Sequence, residues 1–179
     1  AKLLKPIFSS AWPFAISAVL SGLMINTDIL VIGFFRSAED VGLYSAALRP
    51  IQLLYLFPAI IATSVFPAFA RLAKKENEKL RLVLERLLGL TFLVSIPLTI
   101  FGVILGSEIM TFLFGQGYHG GVSSLQILTL TMLINFPTVI LSNAIFAYER
   151  QKSLAFFAAI GVISNLIFDF LLIPRFGIV

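Results

Sequence analysis

The chain has 179 residues, 59% of them hydrophobic and 12% charged, with a mean hydropathy of +1.00. Soluble domains run nearer about 45–50% apolar and about 25% charged, so the composition excludes a water-soluble globule and indicates an integral membrane protein. The absence of cysteine and the single histidine, His119, exclude a disulfide framework, a thiol nucleophile and a His/Cys metal cluster.

A membrane-spanning helix needs about 20 mainly apolar residues, and five stretches qualify. The first covers residues 13–35, approached past Lys2, Lys5 and Trp12, and carries Asn26 and Asp28 toward its far end. A short polar turn over 36–42 leads into the second, 43–70, which holds Arg49, Gln52 and Pro58. The run RLAKKENEKLRLVLERLL from Arg71 is the only charge-dense part of the chain and reads as a solvated helix extension near lipid head groups. It leads into the third span, 82–105, with Pro97 inside it. The glycine-rich stretch GSEIMTFLFGQGYHGG contains an apolar middle, 109–114, too short to span and suited to an interfacial or capping helix. The fourth span, 122–147, carries Asn135, Pro137 and Asn143, and the fifth, 153–173, carries Asn165 and Asp169. These runs are too long for strands and show no two-residue alternation. The expected fold is all-α, a single polytopic transmembrane bundle of five spans. Because the chain opens on Ala1 and stops at Val179, it is expected to be part of a larger membrane protein.

Loops between successive spans alternate sides. Lys2, Lys5, the run 71–81, Arg150 and Lys152 therefore share one side, and the other side holds only Arg36 and Arg175. Lysine and arginine excess marks the cytoplasmic face, so the N-terminus is expected inside and the loop over 106–121 outside. The same distribution accounts for the pI near 9.6 and leaves nothing that asks for nucleic acid. Trp12, Tyr44, Tyr118 and Tyr148 fall where an aromatic belt would lie. Pro58, Pro97 and Pro137 each remove a backbone donor within a span and are expected to kink it, either as static bends or as bend points for alternating access.

Charge at bilayer depth is expensive and usually functional. Asp28 and Arg49 sit about seven residues either side of the 36–42 turn, roughly 10 Å below its surface at 1.5 Å per residue, so they are expected to pair or to face a polar cavity. Arg49 and Gln52, three apart, share a helix face, as do Asn165 and Asp169, four apart. Asn26, Gln52, Asn135 and Asn165 would supply neutral polar lining, with Asp169 nearer the interface. His119 has no second ligand beside it. No nucleophile with a base and no metal-binding cluster converges, so catalysis is not expected and no cofactor or metal is called for.

The run DILVIGFFRSAEDVGLYSAALR from Asp28 to Arg49, followed by Pro67, IPL at Ile96, LFGQGY from Leu113, YERQK from Tyr148 and NLIFDFLLIPRFGI from Asn165, resembles the lipid-linked polysaccharide flippases of the Wzx-like polysaccharide biosynthesis family. That family sits within the multidrug/oligosaccharidyl-lipid/polysaccharide exporter superfamily. The resemblance covers nearly the whole chain and places it in the C-terminal half of a transporter of 12–14 helices, as five spans of a MATE-like six-helix half. It implies a multi-pass protein of the cell membrane that moves an undecaprenyl-pyrophosphate-linked oligosaccharide between leaflets, with a coupling ion to be identified. On this reading Arg49 would attract pyrophosphate or acidic sugar, balanced by Asp28. A cation-coupled drug exporter of the same superfamily, with Asp28 as the coupling carboxylate, and a non-transporting membrane scaffold are the alternatives.

Overall fold

The computed structural model describes Trp12, Val19, Gly22, residues 27–73 and residues 76–178. The described part of the first helix, α1, covers 27–35 and ends in a tight turn at Arg36 and Ser37. Ser37 then opens the longest helix. Its hydroxyl accepts from the Asp40 N–H at 3.1 Å, and the Asp40 carboxylate accepts from the Ser37 N–H at 3.3 Å, a reciprocal capping box. Glu39 and Asp40 in the first turn further favour the positive end of the helix dipole. The resulting helix, α2 (Ala38–Leu72), has 35 residues, or about 52 Å at 1.5 Å per residue, well beyond the hydrocarbon thickness of about 30 Å.

Next come α3 (Asn77–Ile104), the short α4 (Gly106–Phe114), a 3₁₀ segment (Gln116–Gly121), α5 (Val122–Leu130), α6 (Met132–Ala147) and α7 (Gln151–Phe176); no strand occurs among the described residues. Three of these helices are long and apolar enough to span: Ala38–Leu72, Asn77–Ile104 and Ser153–Phe176. The expected fourth span consists of α5 and α6, which meet at 41°. The expected first span lies mostly outside the described residues. The charged run becomes the last turn of α2 and the first turns of α3, where Lys79 pairs with Glu76 and Arg81 with Glu85 at 2.8 Å. The short apolar stretch after α3 becomes α4, whose Met110 is fully buried against the bundle.

The packed block is α2, α3, α5 and α6. One cluster, Ala46, Ala47, Ile51, Met110, Leu125, Met132 and Phe136, fills the end nearest α4. A second, built on Ala62, Phe69, Leu80, Ile140, Ala144 and Ala147, fills the opposite end. Within the block α3 and α5 approach unusually closely. A methyl group added at Gly102 would lie 2.2 Å from Thr129 Cγ2, so only glycine fits. Thr99 donates its hydroxyl to the Thr129 carbonyl at 3.1 Å and Gln126 donates to the Val103 carbonyl at 2.8 Å, knitting the same seam. A third cluster, Val31, Ile32, Tyr44, Leu48 and Ile173, joins α1 and the end of α7 to this block. Elsewhere α7 turns Phe156, Phe157, Ile163 and Phe168 outward, a surface that suits lipid.

Proline does not set the break in the fourth span. α2 continues through Pro50, Pro58 and Pro67 and α3 through Pro97, while the bend falls at Thr131, ahead of Pro137. Threonine back-bonding accounts for it. The Thr129 hydroxyl donates to the Gln126 carbonyl at 2.7 Å and the Thr131 hydroxyl to the Leu128 carbonyl at 2.6 Å, contacts that bend helices. The local backbone tightens in step, with the Thr131 N–H bonded to the Leu128 carbonyl at 3.1 Å.

Candidate functional site

The intramembrane polar residues fall into two groups on different parts of the bundle. The first gathers around Asp28 where α1, α2 and α7 meet. Tyr44 of α2 donates its hydroxyl to Asp28 Oδ2 at 2.6 Å, and Asn165 of α7 donates from Nδ2 to Asp28 Oδ1 at 3.5 Å. The Asp169 carboxyl, one turn beyond Asn165, faces the same cavity as that of Asp28. Asp28, Tyr44 and Asp169 line a cavity of about 170 Å³ that also includes Ile32, Ser124 and Gly177. Asp169 Oδ2 and Asn165 Oδ1 are buried without a partner among the described residues.

The end of α7 closes one side of this cavity. Gly177 adopts φ 80°, and its N–H bonds back to the Ile173 carbonyl, the left-handed cap that glycine favours. Arg36, in the α1–α2 turn, donates Nε and Nη2 to the Ile173 carbonyl at 3.2 and 3.0 Å and Nη2 to the Pro174 carbonyl at 3.2 Å. Ser124 donates to the Ile178 carbonyl from the opposite side. The guanidinium is thereby committed to carbonyls. Among the described residues no basic side chain forms an ion pair with Asp28 or Asp169. Two carboxylates facing each other below the surface need a proton or a small cation between them. The oxygens at hand (two carboxylates, an amide and a phenol) are the hard donors such an ion takes.

Asp28 and Arg49 do not pair. Five residues separate Tyr44 from Arg49, which is about 140° around a helix of 3.6 residues per turn. The face of α2 that presents Tyr44 to Asp28 therefore turns Arg49 away. Arg49 is exposed and has no hydrogen-bond or ion-pair partner among the described residues. Gln52, one turn on, is half-buried. Asn26 lies outside the described residues.

The second group surrounds the break at Thr131. Tyr55 of α2 stands 2.7 Å from Thr131 Oγ1, and Asn135 Nδ2 donates both to Tyr55 Oη at 3.1 Å and to the Thr131 carbonyl at 3.2 Å. Asn143, by contrast, bonds back to the Val139 carbonyl of its own helix. Among the described residues His119 meets Ser107, at 3.2 Å.

Sequence reasoning singled out Asp28, Asn165 and Asp169, and the fold brings those three together. It missed Tyr44 and Tyr55 as partners. The sequence pattern places Tyr44 in an aromatic belt, yet it is buried, whereas Trp12, Tyr118 and Tyr148 are exposed. Helical phase carries the missed signal, since Tyr44 lies on the opposite face of α2 from Arg49.

A family profile described as Polysaccharide biosynthesis protein matches residues 1–123, more than half of the chain. The chain belongs to this family. Among its curated relatives, the probable low-salt glycan biosynthesis flippase Agl15 of Haloferax volcanii is 30% identical over 154 residues, covering 85% of this chain and 32% of that protein. The probable flippase AglR of the same organism is 29% identical over 156 residues, covering 85% of this chain and 33% of that protein. A putative O-antigen transporter of Shigella flexneri is 24% identical over 178 residues, 99% of this chain and 42% of its own length. This family member thus spans between about a third and two fifths of the length of these relatives. No solved structure matches it significantly.

Proposed function

We propose that this chain forms part of a cell-membrane exporter that moves a lipid-linked oligosaccharide, of the undecaprenyl-pyrophosphate type, from the cytoplasmic to the outer leaflet for surface polysaccharide biosynthesis. The names of the relatives support transport rather than catalysis. The observation that carries the reading further is the Asp28–Asp169 pair, which faces a cavity with no basic partner among the described residues. Such a pair is suited to bind the ion that couples transport, with Tyr44 and Asn165 orienting it. Arg49, exposed and without a partner among the described residues, is available for the pyrophosphate or an acidic sugar, and Gln52 and Asn135 provide neutral contacts. Asp28 does not balance Arg49 in this scheme; the two residues act at separate places. The basic residues Arg71, Lys79, Arg81 and Arg150 support a cytoplasmic position for the α2–α3 and α6–α7 loops, and with them for the N-terminus.

Replacing Asp28 by Asn, and separately Arg49 by Ala, in the full-length protein tests the reading. Surface polysaccharide, measured at matched membrane protein level, is expected to fall at least tenfold in each. Undiminished export in both variants would refute it.

A further inference from the structure

We infer that Tyr55 is a positioning residue that holds Asn135 as a fixed hydrogen-bond acceptor for a neutral, hydroxyl-bearing ligand at mid-span. The inference rests on the exporter reading and adds to it a subsite for the uncharged, hydroxyl-rich part of the cargo.

Proton bookkeeping fixes the direction of every bond in the cluster. The Thr131 hydroxyl has one proton, and at 2.6 Å from the Leu128 carbonyl that proton goes to the carbonyl, which can only accept. Tyr55 must therefore donate to Thr131 Oγ1 at 2.7 Å. Having given up its only proton, Tyr55 Oη accepts from Asn135 Nδ2 at 3.1 Å, and the second amide hydrogen goes to the Thr131 carbonyl at 3.2 Å. Turning the amide over would set Oδ1 against that carbonyl and against a phenol oxygen with no proton to offer. The orientation is thus locked, and the Tyr55 ring is itself braced edge-on by Phe136 at 6.4 Å between centroids.

What the lock leaves over is Asn135 Oδ1. Asn135 is exposed, Oδ1 has no partner among the described residues, and the residue sits near the middle of the α5–α6 span. An amide oxygen at that depth is unfavourable against hydrocarbon, so this face is built for water or for a ligand. With both amide hydrogens committed, the site offers only an acceptor. It therefore selects O–H and N–H donors and disfavours phosphate, the reverse of what Arg49 selects. A hydroxyl ligand and plain water share this chemistry, and the test separates them.

The full-length protein is reconstituted into vesicles of phosphatidylethanolamine and phosphatidylglycerol, with a reporter cysteine replacing Thr138, an exposed position one turn from Asn135. Labelling by a charged methanethiosulfonate, which reacts where water reaches, is followed with and without hexyl maltoside, with hexyl phosphate as the anionic counterpart. Labelling is expected, slowed at least threefold by hexyl maltoside and not by hexyl phosphate. In the Tyr55→Phe background the ligand-free rate stays at its starting value, showing an intact fold, while maltoside protection is lost. Asn135→Leu loses protection likewise. No labelling, labelling without maltoside protection, or full protection persisting in Tyr55→Phe would each overturn the inference. Labelling without protection would mean that Asn135 meets water alone. The exporter reading is judged separately by the Asp28 and Arg49 export assay.

Discussion

Gly102→Ala is the most exacting test of the packing. The added methyl would stand 2.2 Å from Thr129 Cγ2, 2.9 Å from its Cβ and 3.1 Å from its Oγ1. Ordinary carbon contacts are about 3.5–4.0 Å. Rotating Thr129 moves Cγ2 but not Cβ, so side-chain adjustment cannot clear the collision, and α3 and α5 must part. Overpacking of this kind costs about 1–3 kcal/mol. The separation also stretches the Thr99–Thr129 and Gln126–Val103 bonds, at 3.1 and 2.8 Å, each contributing about 0.5–1.5 kcal/mol. The expected destabilisation is therefore about 3 kcal/mol. Gly89→Ala is the matched control, since it lies on the same helix with nothing within 4 Å of the added methyl. It should be neutral or stabilising by up to about 1 kcal/mol. Reversible unfolding by sodium dodecyl sulfate in mixed micelles, followed by circular dichroism, measures both. A Gly102→Ala loss within about 0.5 kcal/mol of the Gly89→Ala value, below even one lost hydrogen bond, would refute the close-approach argument.

Arg36→Ala removes three guanidinium bonds to the Ile173 and Pro174 carbonyls and should lower stability by about 1.5–3 kcal/mol, read as a fall in Tm; Arg36→Lys, which lacks the planar fork, should restore little of it. Tyr44→Phe strips Asp28 Oδ2 of its donor at 2.6 Å; on the proposed ion-binding reading, cation affinity, titrated by intrinsic fluorescence, should fall about tenfold, corresponding to about 1.4 kcal/mol. If the Asp28–Asp169 cavity binds a cation, thermal stability should rise with that ion by about 2.7 kcal/mol at a concentration of 100 Kd. The Asp28→Asn, Asp169→Asn double variant should show a flat response.

Much of the architecture was legible because the solvent reverses the usual pattern and leaves long apolar runs. The positions of α2, α3 and α7 follow from run length alone. The broken span was harder, because proline is the obvious breaker and the actual cause is a pair of threonines whose hydroxyls compete for backbone carbonyls. The carboxylate site was half legible. Asn165 and Asp169 share a face at four-residue spacing, and Asp28 sits at a matching depth, but charge complementarity pointed Asp28 toward Arg49. Helical phase overrode it, because one face of α2 cannot serve both Tyr44 and Arg49. Tyr55 escaped notice for a different reason. A tyrosine inside an apolar run reads as bulk until a partner such as Thr131 is known to lie across from it.

The seam at Gly102 has a mechanical consequence. Thr129 fills the space a side chain would occupy, so α3 can neither slide along α5 nor roll over it without driving that methyl into a neighbouring residue. α3 and α5 must then move together, and hydrocarbon tails cannot wedge between them at that level. Among the described helices α7 packs only sparsely on α6, and its last turn is fastened by Arg36 and Ser124. A single missing methyl group thus sets which pair of helices is locked together.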